Sequence, residues 1–325
     1  MKTTMMGSYP KIPAGPGPSV RTAIQRFEKG QLSAQQLYNT YQLVVKRVVD
    51  LAADANMDRT TDGQIRWYDL FDPVVRDLDN VHSAGLLRLF DNNFYFRHPV
   101  ITGRLQYQGG TLAAWSQEAV ASSRIPVTVV LPGLFTFLAL AEDQNYHSAD
   151  TLLSDLIDVM HLTVQHLEST GIAEVQWDEP ALARYGGRWP QDTVHDAYRA
   201  LLGPAGTTVL DQSLALYWGP SSSWVDVLAD LPFSRLSFDA ISDPSILSRL
   251  SAEALPSEVG LGLLDARSVR MEDPKALAAV LSPILAAQGP DRVWVHPSCG
   301  LEFLPPDRAA LKVRLLQDLK ALING

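Results

Sequence analysis

Short apolar runs alternate along the chain with longer stretches in which apolar residues recur every three to four positions. The short runs are "TTMMGS" (3–8), "VTVVLPG" (127–133), "IAEVQWDEP" (172–180), "SLALYWG" (213–219), "RLSFDA" (235–240), "VGLGLLD" (259–265) and "RVWVHP" (292–297). Each is apolar on both faces and is closed by a polar residue, glycine or proline, the pattern of strands in a parallel sheet covered on both sides. The longer stretches at 33–56, 148–170, 221–231, 274–289 and 306–324 read as amphipathic helices. Several of them open on Ser, Asp or Pro at the cap and close near Gly or Asn. An eighth strand is expected around "NMDRTTDGQ" (56–64), completing eight strand–helix units. The expected fold class is therefore α/β, a (β/α)8 TIM barrel running as one domain through residues 1–325, with helical and hairpin material inserted at 65–125. An open doubly wound sheet is the alternative, but no G-x-G-x-x-G follows any of the strands. "PKIPAGPGPS" (10–19) is expected to be an ordered loop over one end of the barrel.

Composition narrows the function. The chain has 325 residues, 46% of them hydrophobic, which is enough for a substantial core. Its formal charge is 27 − 36 = −9, so the electrostatic footprint of a nucleic-acid or anionic-membrane partner is missing. No apolar run approaches the roughly 20 residues of a membrane-spanning helix, and "MKTTMMGSYP" lacks the apolar core of a signal peptide. A soluble, cytoplasmic protein acting on a small molecule is expected. The single cysteine excludes an internal disulfide, and also any metal site built from two thiolates of one chain.

In such barrels the chemistry sits just beyond the C-terminal ends of the strands. Those positions hold Gly7, Ser8 and Tyr9; Asp62 and Gln64, with Arg66 and Asp69 soon after; Gln176, Asp178 and Glu179; Tyr217 and Trp218; Asp239; Asp265 and Arg267; and His296 with Cys299. Asp69 and Asp239 have a plain alternative as helix caps. Asp178-Glu179-Pro180 is the sharpest feature, because two carboxylates directly after a buried strand are costly to leave unpaired. Cys299 reads either as a site residue or as a small buried hydrophobe, and His296 as a site residue or a turn histidine.

Together "TTMMGSYP", "TDGQIR", "VQWDEPAL" and "HPSCGLEFLP" resemble the cobalamin-independent methionine synthase family, specifically its C-terminal catalytic barrel, and the resemblance runs essentially from end to end. It implies a (β/α)8 barrel and transfer of a methyl group from 5-methyltetrahydrofolate to homocysteine sulfur on a zinc ion. It also implies a short member without the second, N-terminal barrel of the long ones.

Carried over residue by residue, the resemblance makes Cys299 one zinc ligand and puts Asp239 at the position of a glutamate ligand. Ala215 and Tyr217 stand where the remaining His and Cys ligands belong. Zinc thiolate chemistry needs three or four protein ligands, so the expected zinc site is degenerate, with Cys299 and Asp239 its surviving positions. Arg267 replaces the family's proton-donating histidine, Gln64 replaces an ammonium-binding glutamate, and Leu140 stands where a pterin-supporting tryptophan is expected. Asp178 remains as an amine-binding carboxylate, and the Met6-Gly7-Ser8 backbone as the carboxylate receptor.

The expected function is methionine-synthase-like transfer of a methyl or alkyl group, with a methylated folate as one candidate donor, to a thiol or related nucleophile, by other than the standard zinc-dependent route. Asp178, Glu179, Asp239, Arg267 and Cys299 are the candidate catalytic residues. The alternatives are metal-free acid–base chemistry on an amino-acid-like or carboxylate substrate, with Arg267 as its clamp, and a ligand-binding protein without turnover. The sequence leaves open the oligomeric state and any accessory protein.

Overall fold

The computed structural model describes residues 1–12, 17, 19–90, 94–204 and 208–325. Residues 13–16 and 18 of the loop expected at 10–19 lie outside the described residues. Among the described residues ten strands are formed: β1 (Lys2–Thr3), β2 (Leu78–Arg88), β3 (Tyr95–Tyr107), β4 (Thr128–Pro132), β5 (Glu142–Asp143), β6 (Glu174–Asp178), β7 (Asp211–Leu216), β8 (Arg235–Asp239), β9 (Glu258–Leu264) and β10 (Val293–Pro297). Every residue of β4, β6, β8 and β10 is buried, as strands of a parallel sheet covered on both sides are.

The chain forms two compact units. The first comprises residues 1–66, 118–129 and 238–325, the second residues 67–117 and 130–237. In the first unit the strand order is β1–β10–β9 with the end of β8 beyond it, and β1/β10 and β10/β9 pair in parallel. β1 is shorter than the run at 3–8 led us to expect. The strand expected at 56–64 reduces to one parallel bridge between Thr60 and Val127. Both losses follow from local chemistry, because Gly7, Gly63 and Gln64 all have positive φ (67°, 70° and 52°), a conformation that ends extended pairing.

In the second unit the order is β7–β6–β4, with β6 and β7 parallel. β2 and β3 form a long antiparallel ribbon, and the helix Thr111–Ser122 follows it. The core of this unit includes Phe71, packed on Phe96 at 5.5 Å and on Phe137 at 5.9 Å between ring centroids. Four of the five expected helices fall where periodicity placed them, at Ala34–Asp54, Ala149–Glu168, Pro274–Gln288 and Pro306–Asn324, whereas the stretch at 221–231 forms only a 3-10 turn, Ser222–Trp224, and the short helix Val225–Leu228. The first opens with a capping box of Ser33 and Gln36. The architecture is thus α/β, built on parallel strands. No helix among the described residues is long and apolar enough to cross a membrane.

Candidate functional site

In the first unit two strand ends meet at a tight corner. Thr61 Oγ1 donates to the Gly7 carbonyl (2.6 Å), the Tyr9 amide donates to the Gly63 carbonyl (2.9 Å) and the Leu301 amide donates to the Ser8 carbonyl (2.7 Å). The turn after β10 therefore lies against Gly7-Ser8. Within it Cys299 is buried and directs its Sγ toward the Gly300 carbonyl at 3.6 Å. His296 is buried as well. Its Nδ1 lies 2.8 Å from the Pro297 carbonyl, which can only accept, so Nδ1 carries a proton.

The other candidates of this unit are largely held by their neighbours. Asp62 accepts from the Gln64 amide (2.8 Å), and burial pushes its carboxyl above the usual range. Arg66 pairs with Glu118 and lies over the rings of Tyr38 and Tyr41. Asp239 accepts from the amides of Ile241 and Ser242 and, at 2.6 Å, from Ser242 Oγ. It caps the turn after β8, one of the two roles open to it from sequence. Arg267 reaches the same Ser242 Oγ at 3.2 Å, and its amide donates to Asp265. The Asp265–Glu272 segment is anchored by Lys312, which is fully buried and donates to Glu272 and the Arg270 carbonyl.

Zinc requires at least three donors aimed at one point. Among the described residues no three His, Cys, Asp or Glu side chains converge in that way, and both oxygens of Asp239 already accept hydrogen bonds.

In the second unit the two carboxylates that follow β6 part company. Asp178 accepts from Gln176 Nε2 (2.7 Å) and from the Tyr217 hydroxyl (2.9 Å). Burial raises its carboxyl to about 7, the two hydrogen bonds opposing the rise. Gln176 Oε1, buried in turn, has no hydrogen-bond partner among the described residues. An unmet buried acceptor costs about 1–3 kcal/mol until a donor arrives.

Glu179 is fully buried and accepts from the Phe135 amide (2.9 Å), Thr136 Oγ1 (2.5 Å) and the Tyr198 hydroxyl. Burial raises its carboxyl too, to about 7. Thr136 Oγ1 in turn accepts from the Ala181 amide, and the Gly133 amide donates to the Asp178 carbonyl. Glu179 is thus the centre of a bracket that ties the turn after β4 to the end of β6. Gly133 is required there, because a Cβ would lie 2.5 Å from Glu179 Cδ and 2.8 Å from the Tyr198 hydroxyl. Gly133→Ala is expected to cost about 1–3 kcal/mol as an overpacking change, read as a lowered urea midpoint at unchanged slope.

Trp218 is the conformational outlier of this unit. Its φ is 69°, strained for a bulky side chain at a cost of about 1–3 kcal/mol. Its ring packs edge-on against Tyr217 at 4.8 Å and against Phe90 at 5.9 Å. Sequence reasoning missed Tyr198, Thr136, Ser242, Glu272 and Lys312. They lie in helices or loops, and no spacing rule links them to the strand ends they serve.

Buried carboxylates beside an aromatic strand end are groups of the kind that small-molecule enzyme sites use. The model for "Cobalamin-independent synthase, N-terminal domain" matches residues 73–289, and the chain belongs to that family, whose members are methyltransferase enzymes. The matching model describes the N-terminal domain, whereas the motifs quoted above were read against the catalytic barrel.

A 5-methyltetrahydropteroyltriglutamate–homocysteine methyltransferase from Ralstonia pickettii is 28% identical over 98% of this chain, but the match spans only 44% of that protein. A methionine synthase from Sulfolobus acidocaldarius is 24% identical, with 96% of this chain and 89% of that one covered. Among solved structures, a B12-independent methionine synthase from Shewanella sp. W3-18-1 has a TM-score of 0.75 at 17% identity, with 99% of each chain covered. A putative one from Listeria monocytogenes has a TM-score of 0.77 at 15% identity, with 100% of this chain and 99% of that one covered. These two likenesses establish a shared fold.

Proposed function

We propose that the protein transfers a methyl or alkyl group from a small-molecule donor to a thiol or related nucleophile, and that it does so without the zinc centre of a standard methionine synthase. The near full-length match to a synthase supports the transfer part of this reading: it covers 96% of this chain and 89% of the Sulfolobus protein. A closed (β/α)8 barrel forming one domain is part of the same proposal, with 65–125 as its insertion. A methylated folate is the donor of choice, because the Ralstonia relative is named for a methylated pteroylglutamate and homocysteine. In the second unit Asp178 and Gln176 offer polar groups of the kind such substrates would need.

Purified protein incubated with 5-methyltetrahydrofolate and homocysteine, or a panel of simple thiols, is expected to yield the methylated thiol at a rate unchanged by prior chelation. Loss of activity on chelation with full recovery on adding zinc would overturn the zinc-free part. Saturable binding with no product from any donor–acceptor pair would overturn transfer itself.

A further inference from the structure

Three features of the second unit centre on Asp178. Its carboxylate is buried and accepts two hydrogen bonds, from Gln176 on its own strand and from Tyr217 beyond β7. An ionised carboxylate has about four acceptor positions, so capacity for an incoming donor remains. Gln176 Oε1 is a second buried acceptor, and it has no partner among the described residues. Tyr217 is braced by the ring of Trp218, whose left-handed backbone (φ 69°) is a strain of the kind that collects at functional sites. Burial raises the Asp178 carboxyl, and the hydrogen bonds from Gln176 and Tyr217 oppose the rise.

On the reading of the protein as a transferase, we propose that Asp178, tuned by Tyr217, is the base that activates the nucleophile in place of a metal, while Gln176 Oε1 receives a second donor of the same substrate. In the step, the nucleophile's S–H bond breaks and its proton passes to an Asp178 oxygen. The sulfur then forms a bond to the methyl carbon as the carbon–nitrogen bond of an N-methyl donor breaks, and the proton is returned to the departing nitrogen. Charge and atoms balance without an added oxidant or reductant. Asp178 touches the reacting atom; Tyr217 is a positioning residue that acts through it.

The test is the pH profile of transfer for wild type, Asp178→Asn and Tyr217→Phe, each shown to be folded by circular dichroism. The wild-type rate is expected to rise with pH through a limb near 7, where the base loses its proton. Tyr217→Phe removes a hydrogen bond that favours the ionised carboxylate, so its limb should move to higher pH while a plateau is retained. Asp178→Asn should lower kcat by about 10²- to 10⁴-fold, the usual contribution of a general base, with a much smaller change in KM. A limb that stays in place in Tyr217→Phe, or an Asp178→Asn variant within a few-fold of wild type, would overturn the assignment while leaving the transferase reading intact. Absence of transfer by the wild type would overturn the transferase reading and the assignment with it.

Discussion

Arg235→Met should destabilise the protein by about 3–5 kcal/mol, the expected cost of leaving one member of a buried ion pair without its partner. Arg235 and Glu174 open β8 and β6, their side chains are 1% and 0% exposed, and a nitrogen of one lies 2.8 Å from an oxygen of the other. Arg235 is also directed toward the hydroxyls of Ser237 (3.2 Å) and Ser213 (3.3 Å). The guanidinium thus ties β8 to β7 as well as to β6. Removing it strands the Glu174 carboxylate in a dry interior, whereas removing both charges does not. The double variant Glu174→Met/Arg235→Met is therefore expected to be more stable than Arg235→Met alone. Urea unfolding of the two variants decides the matter. A loss below about 1 kcal/mol in the single variant would mean that water or another group replaces the arginine.

The second large effect is a pH dependence of stability that Glu179→Gln should weaken. The Glu179 carboxyl rises from an ordinary 4.5 to about 7 because it is buried. Between those values the folded protein holds a proton that the unfolded chain has released, so this group's contribution is complete below about 4.5 and is lost as pH rises through 7. At 1.36 kcal/mol per pH unit the loss is about 3 kcal/mol. Asp178, raised from 3.8 to about 7 by the same cause, acts in the same direction and persists in the variant. Glu179→Gln keeps a side chain that can accept from the Phe135 amide, and it cannot ionise. Its urea midpoint should fall less between pH 5 and 8 than that of wild type, and above pH 7 the variant should be the more stable of the two. Parallel profiles for the two proteins would show that Glu179 ionises no differently once folded.

Much of this was legible in the sequence because a parallel sheet writes itself as unbroken apolar runs. β4, β6, β8 and β10 lie within runs read from apolarity and their closing residues, and β7 and β9 overlap theirs but begin one or two residues earlier. The first and second expected strands were overestimated because Gly7, Gly63 and Gln64 turn the chain after a few extended residues, and the apolarity of "TTMMGS" says nothing about φ. The carboxylates after β6 were legible as a pair but not as opposites. Which one is sealed into a bracket depends on Tyr198 and Thr136, one on a helix 19 residues later and the other 43 residues earlier. Asp239 illustrates the reverse case, where the plain reading of a cap was available from its place before Ser242.

The first unit is stitched from residues 1–66, 118–129 and 238–325. Its opening and closing residues bond directly, Met1 donating to Asn324 Oδ1 and Asn324 Nδ2 to the Met1 carbonyl. Contacts so distant in sequence are slow to form, since closing long loops costs entropy before any reward. Folding of the Gly7-Ser8 corner has to wait for the turn that bears Cys299, so the buried positions of residues 1–66 stay uncovered until that turn has been made.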